Sequence, residues 1–413
     1  MPQVKPEVEA FARIKVLGVG GSGRHAVDHM INSKVKGVEF VAINTDSQDL
    51  HHSLAKKKIH IGKNITRGLG AGMNPEMGRK AAEETTEEIQ ESIKGSDMVF
   101  VAGGVGGGTY SGAAPIVARA AKEQGALTVG VVTKPFFFEG QRRREIADNA
   151  LTELRKNVDA IIIIPNDQLL AAIDKETRAT DAFAMCDEVL RQAVEGISDL
   201  ITTPGEVANI DFADIRSIME NAGHALMGVG TASGENRAVE AAKSAINSPL
   251  LELSIDGAQG VLFSIAGGAD VTMFEIQEAA KTITESVDQN AKIIFGTVAS
   301  DKLRKDEIKI TVIASGFPER SVQSGGGAPL GSGIPESVAA QQPSQPAEPA
   351  TQESAEPSSG GRIFNSFGGG NKQQTEAASQ STEDEKKKVE IEEDDDDDDW
   401  GAVPAFLRRS KLK

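Results

Sequence analysis

Three groups of residues in this 413-residue chain have types and spacings that can do chemistry. The first is Gly18-x-Gly20-x-x-Gly23, which ends the apolar run RIKVLGVG and opens the segment GSGRHAVDHMINS. Backbone amides at a strand-to-helix turn approach a phosphate closely, and a helix N-terminus favours negative charge. Alone the pattern is weak, because a dinucleotide-binding Rossmann fold or a tight turn without ligand produces it too. It nearly matches a P-loop, but Arg24 and His25 stand where Lys and Ser or Thr belong. The second group is AGGVGGGTYSGAAP, residues 102–115, where Gly106, Gly107 and Gly108 precede Thr109 at another such junction. Two junctions at carboxyl ends of strands in one sheet converge on one crevice, whose natural occupant is a nucleotide polyphosphate. An NAD-dependent oxidoreductase needs only the first of them. The third group is Asp211 and Asp214, three apart at the start of a helix. Their carboxylates either point the same way or cap the helix in the ordinary way.

The elements that must hold these groups alternate in type. RIKVLGVG, VEFVAINTD, DMVFVAGG, ALTVGVVTKPF and VDAIIIIPND read as strands, with helices over GSGRHAVDHMINS and GAAPIVARAAKEQG between them. That alternation predicts a parallel α/β sheet covered on both faces. From Ala182 to Thr202, Phe183, Leu190, Val194, Ile197 and Ile201 recur at helical spacing and predict one long buried helix. Beyond Pro204, helices over about 212–221 and 272–287 and strands GVLFSIAGG, AKIIFGTV and IKITVIASGF predict a second, α+β domain.

Composition narrows the class. Acidic residues outnumber basic ones 61 to 44, a net charge of −17, which argues against a nucleic-acid partner. The single cysteine, Cys186, offers neither an internal disulfide nor a zinc cluster and fits a reducing compartment. No apolar run approaches the roughly 20 residues of a membrane span, so no direct membrane insertion is expected, and MPQVKPEVEA does not read as a secretory signal. After Pro318 the chain turns to Ser, Gln, Glu, Pro and Gly, a composition that predicts a disordered linker over 319–390. The last residues, 391–413, place Trp400, Val403, Pro404, Phe406 and Leu407 between the acidic run Asp394–Asp399 and Arg408, Arg409, Lys411 and Lys413. Apolar side chains between charged flanks at the end of a tether suggest a short motif that docks on a partner.

The order of these pieces closely resembles the FtsZ family, the bacterial and archaeal tubulin relatives that assemble the division ring. The matching segments are GVGG at 18–21, NTD at 44–46, GLGAGMNPEMG at 68–78, GGGT at 106–109, TKPFFFEG with Arg143, PND at 165–167, NIDFAD at 209–214 and VPAFLRR at 403–409. The resemblance implies a tubulin/FtsZ-like α/β fold: a flexible N-terminus (1–10), a Rossmann-type GTP-binding domain (11–178), a central helix and connection (179–205), a C-terminal α+β domain (206–318), the linker and the terminal peptide. It implies that Gly20, Gly21, Ser22, Gly23, Arg24 and His25, with Gly106, Gly107, Gly108, Thr109 and Tyr110, surround the phosphates of GTP or GDP. Glu139 and Arg143 would contact the ribose and neighbouring groups, and Asn166 and Asp187 the guanine. Asn209, Asp211 and Asp214 would enter the pocket of the next subunit and position the water that attacks the γ-phosphate, with Mg²⁺ held mainly through the nucleotide. Val403, Pro404, Phe406, Leu407 and Arg408 would bind membrane tethers and division regulators. The implied protein is a cytoplasmic GTPase of the midcell division site, whose principal partner is itself in head-to-tail protofilaments.

The chain departs from the family pattern at its phosphate loops. The signature reads GGGTGTG, whereas here Tyr110 and Ser111 replace the Gly and Thr that follow GGGT, and Ser22, Arg24 and His25 replace small or amide residues. If the family's glycine serves positive φ or close phosphate approach, Tyr110 brings strain or a clash and slow turnover, whereas Arg24 adds a phosphate contact. Three outcomes follow: a slow GTPase, a structural filament without turnover, or an accessory protein of the division ring.

Overall fold

Runs such as MVFVAGG and AIIIIP are apolar at successive positions, and such strands are stable only where helices cover both sides of their sheet. The computed structural model, which describes residues 12–171, 177–203, 208, 210–248, 254–268, 270–299 and 303–317, shows that arrangement. The first half runs β1 (Ile14–Val19), α1 (Gly20–Asn32), β2 (Val38–Asn44), α2 (Ser47–His52), β3 (Lys57–His60), α3 (Lys63–Thr66), α4 (Pro75–Glu84) and α5 (Thr86–Ile93). It continues with β4 (Met98–Gly104), α6 (Gly108–Glu123), β5 (Leu127–Lys134), α7 (Gln141–Arg155), β6 (Ala160–Pro165), α8 (Asn166–Ala171) and the long helix α9 (Ala179–Thr202). The second half comprises α10 (Phe212–Met219), β7 (Gly223–Ser233), α11 (Arg237–Ile246), β8 (Gly260–Gly267), α12 (Met273–Thr284), β9 (Lys292–Ala299) and β10 (Glu307–Ser315).

All the strands lie in one sheet of order β3-β2-β1-β4-β5-β6-β7-β10-β8-β9. The first seven are mutually parallel, β10 runs antiparallel to both of its neighbours, and β8 and β9 are again parallel. Alternation divides the core. Ile14 and Val16 of β1 with Met98 and Phe100 of β4 face Val27 and Met30 of α1 and Leu190, Val194 and Ile197 of α9. Leu17, Val19, Val99 and Val101 point the other way, toward Ile89, Val117 and Leu154 of the opposite helix layer. A third cluster joins α11 and α12 to β8 and β10.

The strands expected in the first half are present, and β3 is added at its edge. In the second half, sequence patterning misses β7 and α11. The reason is steric: β7 reads GHALMGVGTAS, and its glycines weaken any strand pattern. They are there because α11 lies on the strand backbone. A Cβ on Gly228 would sit 1.9 Å from the Ala245 carbonyl oxygen, and one on Gly230 2.1 Å from that of Ala241. The long helix is as expected through Ile197, but its first apolar residue, Phe183, is half exposed and serves a different purpose, described below. Residues 1–10, the linker 319–390 and the terminal peptide with Val403, Pro404, Phe406, Leu407 and Arg408 lie outside the described residues.

One packing contact bears directly on the glycine loops. α4 crosses α6 so closely that a Cβ on Gly112 would meet the Pro75 carbonyl oxygen at 2.0 Å and the Arg79 amide nitrogen at 2.5 Å. Both neighbours are backbone and cannot step aside as a side-chain tip would. Gly112→Ala is therefore expected to destabilise the protein by about 1–3 kcal/mol, read as a lowered midpoint in thermal or urea unfolding; an unchanged midpoint would show that the two helices are free to separate.

Candidate nucleotide-binding site

β1 and β4 are neighbours; β1 runs at its carboxyl end straight into α1, and β4 reaches α6 through Val105, Gly106 and Gly107. Neither helix has a side-chain cap or an acidic residue in its first turn: α1 follows Val19 and α6 follows Gly107. The N-terminal amides of α2 and α4, by contrast, are met by Asp46 and Asn74. Uncapped amides at two adjacent helix starts form a concentrated anion-binding surface. They open on a cavity of about 550 Å³, within the size range of small-molecule sites.

The cavity brings together Gly20, Gly21, Ser22, His25, Gly107, Gly108, Thr109, Tyr110, Glu139, Arg143, Asn166 and Asp187. It is also lined by Gly104, Val105, Thr133, Pro135, Phe183, Cys186 and Leu190, which sequence reasoning did not select. A signal for several of these existed. Thr133 and Pro135 end the parallel strand next to β4, and Phe183, Cys186 and Leu190 share a helix face with Asp187 at spacings of three and four. The apolar stripe of α9 thus changes duty along its length, from cavity wall to core.

Gly23, Arg24 and Gly106 are not among the lining residues. Gly23 is buried beneath the turn. The amide of Gly106 donates to Ser111 Oγ at 2.9 Å. Arg24 corrects the expectation of a phosphate contact: its guanidinium donates to Asp28 Oδ2 at 2.9 Å and to Asp49 Oδ1 at 2.7 and 3.1 Å. Asp49 in turn accepts from Asn44 Nδ2 at 2.7 Å, so Arg24 ties α1 to α2 and, through it, to the end of β2. Its Nη2 also donates to His25 Nε2 at 2.8 Å, which places the imidazole proton on Nδ1. Burial and the adjacent Arg24 charge both hold His25 below its ordinary range, so it is neutral at pH 7.

Tyr110 is the second correction. It is an ordinary helical residue of α6, with only its main chain toward the first glycine loop. The ring is 2% exposed in the core below the cavity, and its hydroxyl donates to the Val101 carbonyl at 3.1 Å. The expected strain and clash do not arise.

On the far wall, Asn166 is buried, and its side-chain carbonyl oxygen has no hydrogen-bond partner. Asp187 is raised to about 6 by burial, against the opposing pull of His29 and Arg24. Two acceptors therefore stand on this wall. Burial, reinforced by Asp187 and Glu139, pushes the Cys186 thiol up to about 12, so it is an inert wall residue. Glu139 accepts from the Phe136 amide at 2.9 Å and is paired with Arg143.

The proposed catalytic residues lie elsewhere. Asp211 and Asp214 are not part of the cavity wall; they form a reciprocal capping box at the start of α10. Asp211 Oδ1 accepts the Asp214 amide at 2.8 Å, and Asp214 Oδ2 accepts that of Asp211 at 3.3 Å. Asn209 lies outside the described residues.

Comparison with known proteins gives the same frame a family. Residues 13–174 match the GTPase domain of the tubulin/FtsZ family, and residues 223–318 match the C-terminal domain of the FtsZ family. An FtsZ dimer from M. jannaschii is 43% identical over 74% of this chain and 88% of its own, with a TM-score of 0.70. The chain belongs to the tubulin/FtsZ family. CetZ2 from Haloferax volcanii, solved as a GTPγS-bound protofilament, shares the fold at 20% identity, with a TM-score of 0.65 over 76% of this chain and 96% of that one.

Within this FtsZ-type frame Arg24 is a strut, and the distinction can be measured. Arg24→Ala leaves Asp28 and Asp49 uncompensated in a half-buried setting and is expected to cost about 3 kcal/mol of stability. A thermal midpoint left in place, with guanine-nucleotide affinity alone reduced, would restore Arg24 as a phosphate ligand.

Proposed function

We propose that this chain binds GTP, assembles head to tail into protofilaments and hydrolyses GTP at the junction between subunits. The observation that carries this reading is the paired set of uncapped helix starts facing two unsatisfied acceptors across one cavity. Amides of Gly20, Gly21, Gly107, Gly108 and Thr109 suit phosphate oxygens. Asn166 and Asp187 present acceptors to the N1 and N2 donors of guanine, whereas adenine offers an acceptor at N1. Glu139 and Arg143, held as a pair, suit the ribose and its surroundings. In this reading Mg²⁺ is held chiefly through the phosphates.

Asp211 and Asp214 stand off the cavity of their own chain, as a site shared between subunits requires. The capping box uses one oxygen of each carboxylate and leaves the other for a water molecule. Orienting that water is most of what phosphoryl transfer asks of a protein. Head-to-tail addition is an open, heterologous contact that extends into a filament. In this reading residues 11–178 are the nucleotide-binding domain and 206–318 the domain that supplies the acids to the next subunit. The filament belongs to the cytoplasmic division ring, tethered through Val403, Pro404, Phe406, Leu407 and Arg408. Among the described residues no helix is long and apolar enough to cross a membrane.

Phosphate release from GTP with Mg²⁺, followed across protein concentration with pelleting of the same samples, tests the proposal. Turnover is expected to appear above a threshold concentration together with pelletable polymer. Asp214→Asn should keep GTP binding and lose turnover by about 100-fold; equal turnover in the variant would remove Asp214 from catalysis. Polymer without phosphate would mark a structural filament, and neither signal an accessory protein.

A pH dependence follows from Asp187. Its carboxylate accepts from guanine and its acid form presents a competing proton, so affinity should fall as pH drops through about 6. A fluorescent GDP titration should show affinity about tenfold weaker at pH 5 than at pH 7, and Asp187→Asn should flatten the profile. An unchanged profile in the variant would place the titrating group elsewhere.

A further inference from the structure

Three of the residues by which this chain departs from the family pattern, Ser22, Ser111 and Tyr110, gather around the second glycine loop. Ser22 Oγ, on the first loop, accepts the amide of Gly104 at the end of β4, at 2.8 Å. Ser111 Oγ, one turn into α6, accepts the amide of Gly106 at 2.9 Å. Between them the Val105 amide donates to the Thr133 carbonyl at 3.0 Å. Three successive amides that would otherwise compete to point at a ligand are thus bound within the protein. The next ones, on Gly107, Gly108 and Thr109, begin α6 and line the cavity. Beneath the loop, Tyr110 occupies the space that a side chain on Gly103 would need: a Cβ there would lie 2.4 and 2.6 Å from two of its ring carbons. The tyrosine is pinned at its far end by Val101. Thr109 is itself tied to the first half of the sheet, with its hydroxyl 2.6 Å from that of Thr45.

We propose that Ser22, Ser111 and Tyr110 are positioning residues that hold the second phosphate loop in its binding conformation before any nucleotide arrives. The two serines act as latches on Gly104 and Gly106, and Tyr110 is the prop under Gly103. A loop of mobile glycines must be ordered by its ligand, at the expense of affinity; this loop is ordered by its own side chains. Tyr110 and the two serines therefore favour binding. The proposal rests on the reading of the cavity as a guanine-nucleotide site, and its test separates the two.

Amide hydrogen exchange at Gly104 and Gly106 is measured on the full chain without nucleotide, alongside GDP titration. Ser22→Ala should speed exchange at Gly104 and Ser111→Ala at Gly106, each by at least about tenfold. Each should weaken GDP binding by about tenfold while the thermal midpoint stays in place. Ser111→Thr, which keeps the hydroxyl, should restore both readings. Tyr110→Ala should lose about tenfold. Faster exchange with unchanged affinity would overturn the positioning role, as would unchanged exchange. A parent protein that binds no guanine nucleotide would refute the nucleotide reading. The latches then stand or fall on exchange alone, which does not depend on the ligand.

Discussion

The parallel pairing of β1 with β4 is the contact on which the site depends. Its register sets Gly18 beside Ala102, so the two strands end level and the helices that follow start side by side. Parallel strands deliver their carboxyl ends to the same edge of a sheet, and here that edge carries two glycine turns in adjacent positions. The turns are close enough to interlock: a Cβ on Gly23 would lie 2.6 Å from the Ala102 carbonyl oxygen, and Ser22 reaches across to Gly104. A slip of one residue in this register would turn every side chain of β1 to the opposite face, putting Leu17 in place of Val16 against α1 and α9, and would separate the two loops. The register of β1 against β4 is thus also what aligns the amides.

The second constraint is electrostatic. A chain with a net charge of −17 has to present a surface on which a polyphosphate can rest. Around the cavity the acids are answered one by one. Asp28 and Asp49 share Arg24, Glu139 is paired with Arg143, and Glu188 is held by His29 and Arg191. Asp187 is kept close to neutral pH by burial instead of by a partner, which leaves its oxygens to a ligand. Arg24 acts through the acids it neutralises and by anchoring α1 to α2.

Much of this was legible in the chain itself. Strand after strand in the first half reads as an apolar run, and the glycine turns declare themselves by position. What escaped sequence reasoning did so for definable reasons. β7 is masked by glycines that α11 requires, so a packing demand looks like a weak strand. Phe183, Cys186 and Leu190 sit in an apolar stripe that reads as core along its whole length, and only their helical spacing from Asp187 marks where α9 leaves the core. Arg24 beside a glycine loop invites a phosphate, because its aspartate partners are remote in sequence, at Asp49, or hidden on the same helix, at Asp28. Tyr110 suggests a clash for a related reason: the space that receives its ring is made by Gly103, and a missing side chain leaves no trace in a spacing pattern.

In the proposed reading, the structural duty and the chemical duty of Asp211 and Asp214 are not rivals. Read from sequence, the pair offered either helix capping or water activation. The capping box demands one oxygen from each carboxylate and fixes both side chains by hydrogen bonds to the main chain. A carboxylate that must orient water in a neighbouring subunit's pocket needs that kind of restraint, since an acid free to rotate would have to be ordered at each encounter. Capping holds the second oxygen of each group at the surface in a set direction, and α10 is anchored behind it by Arg216, which reaches the Gly125 carbonyl at the end of α6. In the proposed reading the cap is therefore the means by which a surface helix brings two acids to a site it does not itself contain.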